Sequence, residues 1–330
     1  MEEKKTISLD FGNGGLEMQE FIEKFSRGFF KNDKWTNHDE DAAVFKEEAS
    51  PKLCFTTDSY IASPAFFPGG NIGKLAICGT LNDLVVAGAR PIGLSLSFIL
   101  EEGFPMEDFD KIILSLQEES TKAGVPIVTG DTKVMERGSL DGIVINTAGL
   151  GFLEYERDGE IEEGDSIIVS GGIGEHAVAL LSKRFEFETT LLTDSKYVGE
   201  EMKEIGGKVR LAKDPTRGGL AACLNEIAKK YSLSLEIEET QIPLKKEVRA
   251  ATKLLGIDPY TLACEGRLIC IVSKDKEKEV LTTLKTYNTE AAVIGKVTKK
   301  REKGFQVEIK TKLGRRFLPT PSGKIVPRIC

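Results

Sequence analysis

Four carboxylates in the first half of the chain stand where a cation could be held. Asp41 precedes a small apolar strand, Asp58 follows the strand Leu53 to Thr57, and Asp83 lies beside Asn82 in an apolar helical stretch. Asp131 follows the strand Val125 to Thr129, in Gly130-Asp131-Thr132-Lys133. Carboxylates at strand ends suit a hard cation such as Mg2+. A charged group among apolar neighbours is costly to bury alone, so Asp83 calls for a partner. Upstream, Gly12-Asn13-Gly14-Gly15 leads into the amphipathic pattern Leu16, Met18, Phe21, Ile22, Phe25. Such a turn can present backbone N–H groups to a phosphate, although a plain turn reads the same way. These residues fit a metal–phosphate site, with solvated strand ends as the plainer reading.

The other reactive feature is at the end of the chain. Pro327-Arg328-Ile329-Cys330 follows Pro319-Thr320-Pro321-Ser322-Gly323-Lys324, whose prolines and glycine disfavour helix and sheet interior. An extended, movable arm is expected, with a thiol that can be loaded in one place and worked on in another. Arg328 and Lys324 would favour its thiolate modestly over the ordinary value of about 8.5. Cys54, Cys78, Cys223, Cys264 and Cys270 sit in apolar surroundings and read as buried small hydrophobes, leaving only Cys330 outside a core. A terminal cysteine can also be incidental.

The elements that must position these groups alternate between strands and helices. A chain of 330 residues with a balanced apolar and charged content fits two core-bearing α/β domains. The first half reads as a helix from Asn71 to Gly88, a strand from Pro91 to Leu100, a helix around Phe109 to Leu116 and a strand from Gly142 to Phe152. The charged stretch Tyr155 to Asp165 connects to strand Ser166 to Ser170 and helix Ala177 to Ser182. Helices Leu220 to Lys230, Val248 to Leu255 and Lys276 to Leu284 follow, with strands at Leu233 to Ile237, Leu268 to Val272 and near Val293 and Val307. The implied division is 1–40 (glycine-rich loop and helix), 41–155, 156–312 and a flexible tail 313–330. Gly171-Gly172-Ile173-Gly174-Glu175-His176 looks like a dinucleotide turn but lacks the acidic residue some 20 positions on, and His176 reads as structural. The basic cluster Lys296 to Lys312 reads as a solvated edge strand and loop.

A net charge of −7 argues against a general nucleic-acid or anionic-membrane binder. The charged start and the absence of a long uncharged run argue against a secretory signal and a membrane helix, making the cytoplasm the expected location. No CxxC pair occurs, and His38 and His176 have no zinc-ligand spacing.

Taken together, GNGG, DAAV (Asp41 to Val44), TTDSY (Thr56 to Tyr60), NDL with AGARP (Asn82 to Pro91), GDTKV, SGGIGEHA, DPTRGGLA (Asp214 to Ala221), CEGRL (Cys264 to Leu268) and terminal PRIC resemble one family. It is the HypE family of NiFe-hydrogenase maturation proteins, within the aminoimidazole ribonucleotide synthetase-like superfamily of ATP enzymes. The resemblance runs from Gly12 to Cys330. It implies two α/β domains, with the first domains of two chains pairing into a barrel-like dimer core. It also implies ATP-dependent dehydration of a carbamoyl group on Cys330 to a thiocyanate, whose cyano group goes to iron.

By the same resemblance Asp41, Asp58, Asp83 and Asp131 would hold Mg2+ and the ATP phosphates, helped by Asn82 and Thr132. Lys133 would neutralise phosphate charge, the loop Gly12, Asn13, Gly14, Gly15 would close over the nucleotide, and Glu265 would be the general base. A HypF-like carbamoyltransferase would load Cys330, and a HypC/HypD-like iron carrier would accept the cyano group. Asp10-Phe11 stand where relatives often carry a His before the loop, so no imidazole role is assigned there. A small-molecule kinase or synthetase of the superfamily, and a non-catalytic assembly scaffold, are the alternatives. Independently of the resemblance, the apolar strands Ile92 to Leu100 and Ile143 to Phe152 lead us to expect a homodimer.

Overall fold

The computed structural model describes residues 15–17, 19–20, 35–36, 42–45, 52–155, 157–299, 306–323, 326 and 328–330. Gly12, Asn13, Gly14, Asp41 and Lys324 lie outside the described residues.

The first domain is a six-stranded sheet with helices on one face. Its strands are β1 (Trp35–Thr36), β2 (Ala43–Phe45), β3 (Leu53–Tyr60), β6 (Ala89–Glu101), β7 (Ile127–Met135) and β8 (Ile143–Leu153), in the order β1-β2-β3-β8-β6-β7. Helix α1 (Ile72–Val86) and helix α2 (Met106–Ala123) cover the inner face, which carries Tyr60, Leu94, Leu96, Phe98, Ile143 and Ile145. Among the described residues the run β6-α2-β7 forms the only parallel pair of this sheet, since a parallel return needs a crossover. A small hairpin, β4 (Phe66–Phe67) with β5 (Gly70–Asn71), leads into α1. There the Asn71 side chain accepts hydrogen bonds from the Gly73 and Lys74 amides and caps the helix.

Helix α1 is apolar all round because both of its sides are covered. One side packs on the sheet, while Val85 and Val86 join a core cluster with Ile168, Val198, Met202 and Leu268 of the second domain. Every large apolar side chain buried this way stabilises the contact by about 1.5–3 kcal/mol, so α1 fastens the two domains to each other.

The second domain is built on a seven-stranded sheet. It comprises β9 (Ser166–Val169), β10 (Leu211–Lys213), β11 (Ser234–Glu238), β12 (Ile269–Val272), β13 (Ala292–Thr298), β14 (Gln306–Thr311) and β15 (Gly314–Phe317), in the order β10-β12-β9-β13-β11-β14-β15. Strands β9 and β12 are buried throughout. Ile167 and Val169 face one core and Ile168 the other, which accounts for their unbroken apolar runs. The helices are α3 (Glu175–Arg184), α4 (Gly199–Ile205), α5 (Gly219–Lys230), α6 (Lys246–Leu255) and α7 (Glu277–Tyr287).

Three expectations are corrected. Strand β3 continues to Tyr60 and strand β7 runs through Gly130-Asp131-Thr132-Lys133, so Asp58 and Asp131 are both within strands and not after them. Strand β15 pairs with β14, and Leu318 N–H donates to Val307 O, so residues 314–318 belong to the sheet and the tail begins after them. Strand β14, in the basic cluster, is interior to the sheet, between β11 and β15. Helix α4, strand β10 and the β4-β5 hairpin were not foreseen. Among the described residues no helix is long and apolar enough to cross a membrane.

Candidate active site at the domain junction

The junction is organised by Asn82 of α1, one of the most buried polar side chains in the protein. Its amide donates to the carbonyls of Lys196 (3.0 Å) and Glu265 (3.3 Å), and its carbonyl oxygen accepts from Val198 N–H at 2.9 Å. The side chain expected at the nucleotide thus holds the second domain against the first. Glu265 is fixed by its backbone, since its N–H also donates to Asp194 Oδ1 at 2.9 Å. Next to it Gly266 meets the Asp194 carbonyl so closely that any Cβ would collide with it.

Fixed in this way, Glu265 is 2% exposed, and its Oε1 has no hydrogen-bond partner. Burial first, then the neighbouring Asp214 and Asp194, push its carboxyl well above the usual carboxylate range, with Arg217 opposing. A buried acceptor without a donor is costly. It marks the place where a substrate N–H can be received.

The tail delivers Cys330 to that place, in its own chain. Ile61 N–H donates to Cys330 O (3.0 Å) and Ser63 N–H to Arg328 O (3.1 Å). Arg184 Nη2 donates to the same Arg328 carbonyl at 2.7 Å, and His176 Nε2 meets Ile329 O at 2.8 Å. Ile329 is buried in a core cluster that joins the first-domain sheet and helices to Ala177, Leu181 and Leu262 of the second domain, and Cys330 packs against it. The expected thiol outside any core is therefore half-buried and docked. Arg328 does not activate it: its guanidinium binds Ile61 O at 3.0 Å and Asp141. Burial and then Glu265 push the thiol pKa up, and the cation that opposes them is Arg217 of the Asp214-Pro215-Thr216-Arg217 turn. The other five cysteines are buried, as expected.

Asp58 and Asp83 line the same junction from the first domain. Asp58 Oδ2 accepts from Tyr60 Oη and from Thr80 Oγ1, each at 3.2 Å, and Thr56 Oγ1 donates to Asp83 Oδ2 at 2.9 Å. Burial first, then Asp58 and Asp83, raises the Tyr60 pKa and keeps its hydroxyl protonated. Gly79 makes room for it: a Cβ at that position of α1 would strike Tyr60 Oη. Among the described residues no three carboxylate, histidine or cysteine side chains cluster as a self-sufficient metal site. Two carboxylates with phosphate oxygens nevertheless fit the way Mg2+ is usually bound.

Comparison with known proteins accords with this geometry. The AIR synthase related protein family matches in two parts, its N-terminal domain over residues 39–153 and its C-terminal domain over 162–308. The carbamoyl dehydratase HypE of Rhizobium leguminosarum bv. viciae is 43% identical over 337 residues, spanning 98% of this chain and 95% of the relative. The chain belongs to the HypE family. A solved HypE–HypF complex has a chain that superposes with TM-score 0.83 at 39% identity, covering 91% of this chain and 99% of its own. HypE solved in complex with ATP superposes with TM-score 0.80 at 37% identity, covering 98% and 100%.

In this HypE-family chain the remaining expected site residues lie elsewhere. Asp131 pairs across the sheet with Ser97, Ser97 with Asn146 and Asn146 with Ser59. By strand alternation Asp131 and Lys133 therefore share the outer face, opposite the helices, while Asp58 is on the inner face. Three strand spacings separate β3 from β7, about 14 Å. Lys133 pairs with Asp131, and both, like Thr132, are exposed. That lysine, then the Thr132 amide, lowers the Asp131 pKa. One chain does not bring them to Asp58 and Asp83. Gly15 is buried, and its neighbour Leu16 donates its N–H to Pro321 O, at the start of the tail. Sequence reasoning missed Arg184, Arg217 and the part His176 plays at the tail.

Proposed function

We propose that this chain is an ATP-dependent carbamoyl dehydratase acting on its own terminal cysteine, in NiFe-hydrogenase maturation. The observation that carries this reading is the docking of Cys330 beside the Glu265 carboxyl, whose Oε1 has no hydrogen-bond partner, at a junction that Asp58 and Asp83 also line.

A carbamoyl group on Cys330 Sγ places its NH2 against Glu265. The carbamoyl oxygen attacks the γ-phosphorus of ATP. ADP leaves, and Glu265 takes one N–H proton, giving an O-phosphorylated imidate. Its C–O bond then breaks as the second N–H proton leaves with phosphate, so the sulfur carries –C≡N. The products are ADP, phosphate and the thiocyanate. Arg217 holds negative charge beside the sulfur and so favours each anionic stage. Asp58 and Asp83 would hold Mg2+, which when bound supplies charge neutralisation on the phosphates.

The raised pKa of the docked thiol leaves it a poor nucleophile. Loading by a HypF-like carbamoyltransferase therefore takes place with the tail undocked. A HypC/HypD-like iron carrier would accept the cyano group, in the cytoplasm.

We further infer that a second copy supplies Asp131 and Lys133. The outer face of the first-domain sheet presents Leu53, Phe55, Ile99, Val144, Leu150 and Phe152, all partly open to solvent. Strand β7 is an edge on which Val128 and Val134 are each 66% exposed. An apolar sheet face with an open apolar edge favours two-fold pairing of first domains, which would carry the Asp131 and Lys133 of one chain to the other.

Intact-protein mass measurement tests the reading, with a carbamoyltransferase, carbamoyl phosphate and ATP supplied. The parent should gain a carbamoyl group and then lose one water. A Cys330→Ala protein that gained the same mass would refute the carrier role.

A further inference from the structure

The Ile329 carbonyl, one residue before the reactive sulfur, is held by a buried imidazole that the dehydration chemistry does not use. His176 opens helix α3 and is fully buried, its ring edge-on to Phe67 with centroids 5.3 Å apart. A carbonyl oxygen can only accept, so at 2.8 Å from Ile329 O the Nε2 atom must carry the hydrogen. Desolvation lowers the His176 pKa and keeps the ring neutral. Nδ1 is therefore a lone pair, receiving the Thr193 hydroxyl at 2.8 Å. Thr193 is itself set in place, because its Oγ1 accepts from Ser195 N–H at 3.0 Å and its N–H donates to Pro68 O at 2.8 Å. The chain Ser195–Thr193–His176–Ile329 thus has one direction of hydrogen bonding, ending on the tail.

We propose that His176, oriented by Thr193, is the positioning residue that latches the carboxy-terminal tail in the cleft and sets Cys330 against Glu265. The other bonds to main-chain carbonyls of residues 328–330 come from the Ile61 and Ser63 amides and from Arg184, and they grip residues 328 and 330. His176 grips the residue between them. The backbone also needs such a grip, because Arg328 has φ 52°, a left-handed conformation that a non-glycine residue adopts at a cost. A strained conformation of that kind persists only where contacts on either side hold it. All of these bonds are to main-chain carbonyls, so the latch does not depend on what the sulfur carries. The free thiol, the carbamoyl and the cyano forms are received alike, and only its catalytic consequence rests on the dehydratase reading.

The test uses the full-length unloaded protein and no ATP. Cys330 alkylation by iodoacetamide is followed by mass spectrometry of the carboxy-terminal peptide, beside melting curves. Loss of one buried hydrogen bond should loosen docking by about tenfold, so His176→Ala should be alkylated about that much faster than the parent. His176→Gln, which retains a side-chain N–H donor, should recover most of the protection. Thr193→Val, which does not touch the tail, should fall between them by weakening the tautomer lock. A purely structural role would lower the melting temperature without separating Ala from Gln in alkylation rate. Equal rates for folded parent, Ala and Gln proteins would overturn the latch, as would equal rates for parent and Thr193→Val should the Ala variant not fold. Such results would leave the dehydratase reading intact. Conversely, graded protection in a protein that never dehydrates a carbamoyl group would sink the dehydratase reading and keep the latch.

Discussion

The two faces of the first-domain sheet carry acidic residues of the same type in opposite surroundings. On the inner face Asp58 is tied to Tyr60 and Thr80, and Asp83 on helix α1 is tied to Thr56, beside the docked tail. On the outer face Asp131 meets Lys133 on an exposed edge strand. On the proposed reading the inner carboxylates take up Mg2+ with the nucleotide, and the outer pair acts only when a second copy covers it. A carboxylate in a strand is thus no measure of a site by itself; the face it occupies and what lies across that face decide.

The largest expected effect is at the inner face. Glu265→Gln should accept a carbamoyl group and bind ATP, yet dehydrate about 10³-fold more slowly, the size of a lost general base. Single-turnover mass measurement checks this, and a loss under threefold would remove Glu265 from the chemistry. The same substitution has a second signature. Because folding raises the Glu265 pKa, the stability tied to its neutral form is whole below the ordinary carboxylate value and is lost as pH rises through the raised one. Glu265→Gln should therefore melt above the parent at pH 8, and by a smaller margin at pH 5.

Lys133→Ala, on the outer face, comes next. Removing a phosphate-neutralising charge should slow dehydration by about 10²-fold, with no change in Cys330 alkylation, because the tail docks on the other face. Accelerated alkylation in that variant would break the distinction between the two regions.

Arg217→Gln should act more weakly and through pH. Arg217 opposes the upward shift of Glu265, so its removal should carry the acid limb of the dehydration rate profile to higher pH. An unmoved limb would separate the two residues. Tyr60→Phe is the mildest change. The ring still fills the notch at Gly79, but Asp58 loses a donor, and Mg2+ half-saturation measured by calorimetry with a non-hydrolysable ATP analogue should shift by about threefold.

Much of this arrangement was legible in the sequence where side-chain pattern carries it. Apolar periodicity placed α1, β6, β8 and the second-domain helices other than α4 within a few residues, and Asp58 and Asp83 stood out as charges beside apolar runs. Asp131 was read as following a strand because Gly130-Asp131 looks like a turn. Edge strand β7 is exposed on both faces and has no burial alternation to show its extent. The tail was read as a free arm because its docking bonds are to main-chain carbonyls, which leave no mark in residue type. His176 and Arg184, which donate to those carbonyls, looked like ordinary helix residues. Asn82 was legible as polar and misplaced in purpose, because its partners are backbone groups 114 to 183 residues away.

Whether inner and outer groups meet between two copies, as proposed, is decided by mixing Asp58→Asn and Asp131→Asn proteins after reversible dissociation. Each alone should be nearly inactive. If the second copy supplies Asp131, every mixed dimer has one site with both carboxylates intact, and random reassortment should restore about a quarter of parental ATP-dependent dehydration. No recovery above the separate mutants would contradict the account, as would full activity of Asp131→Asn alone.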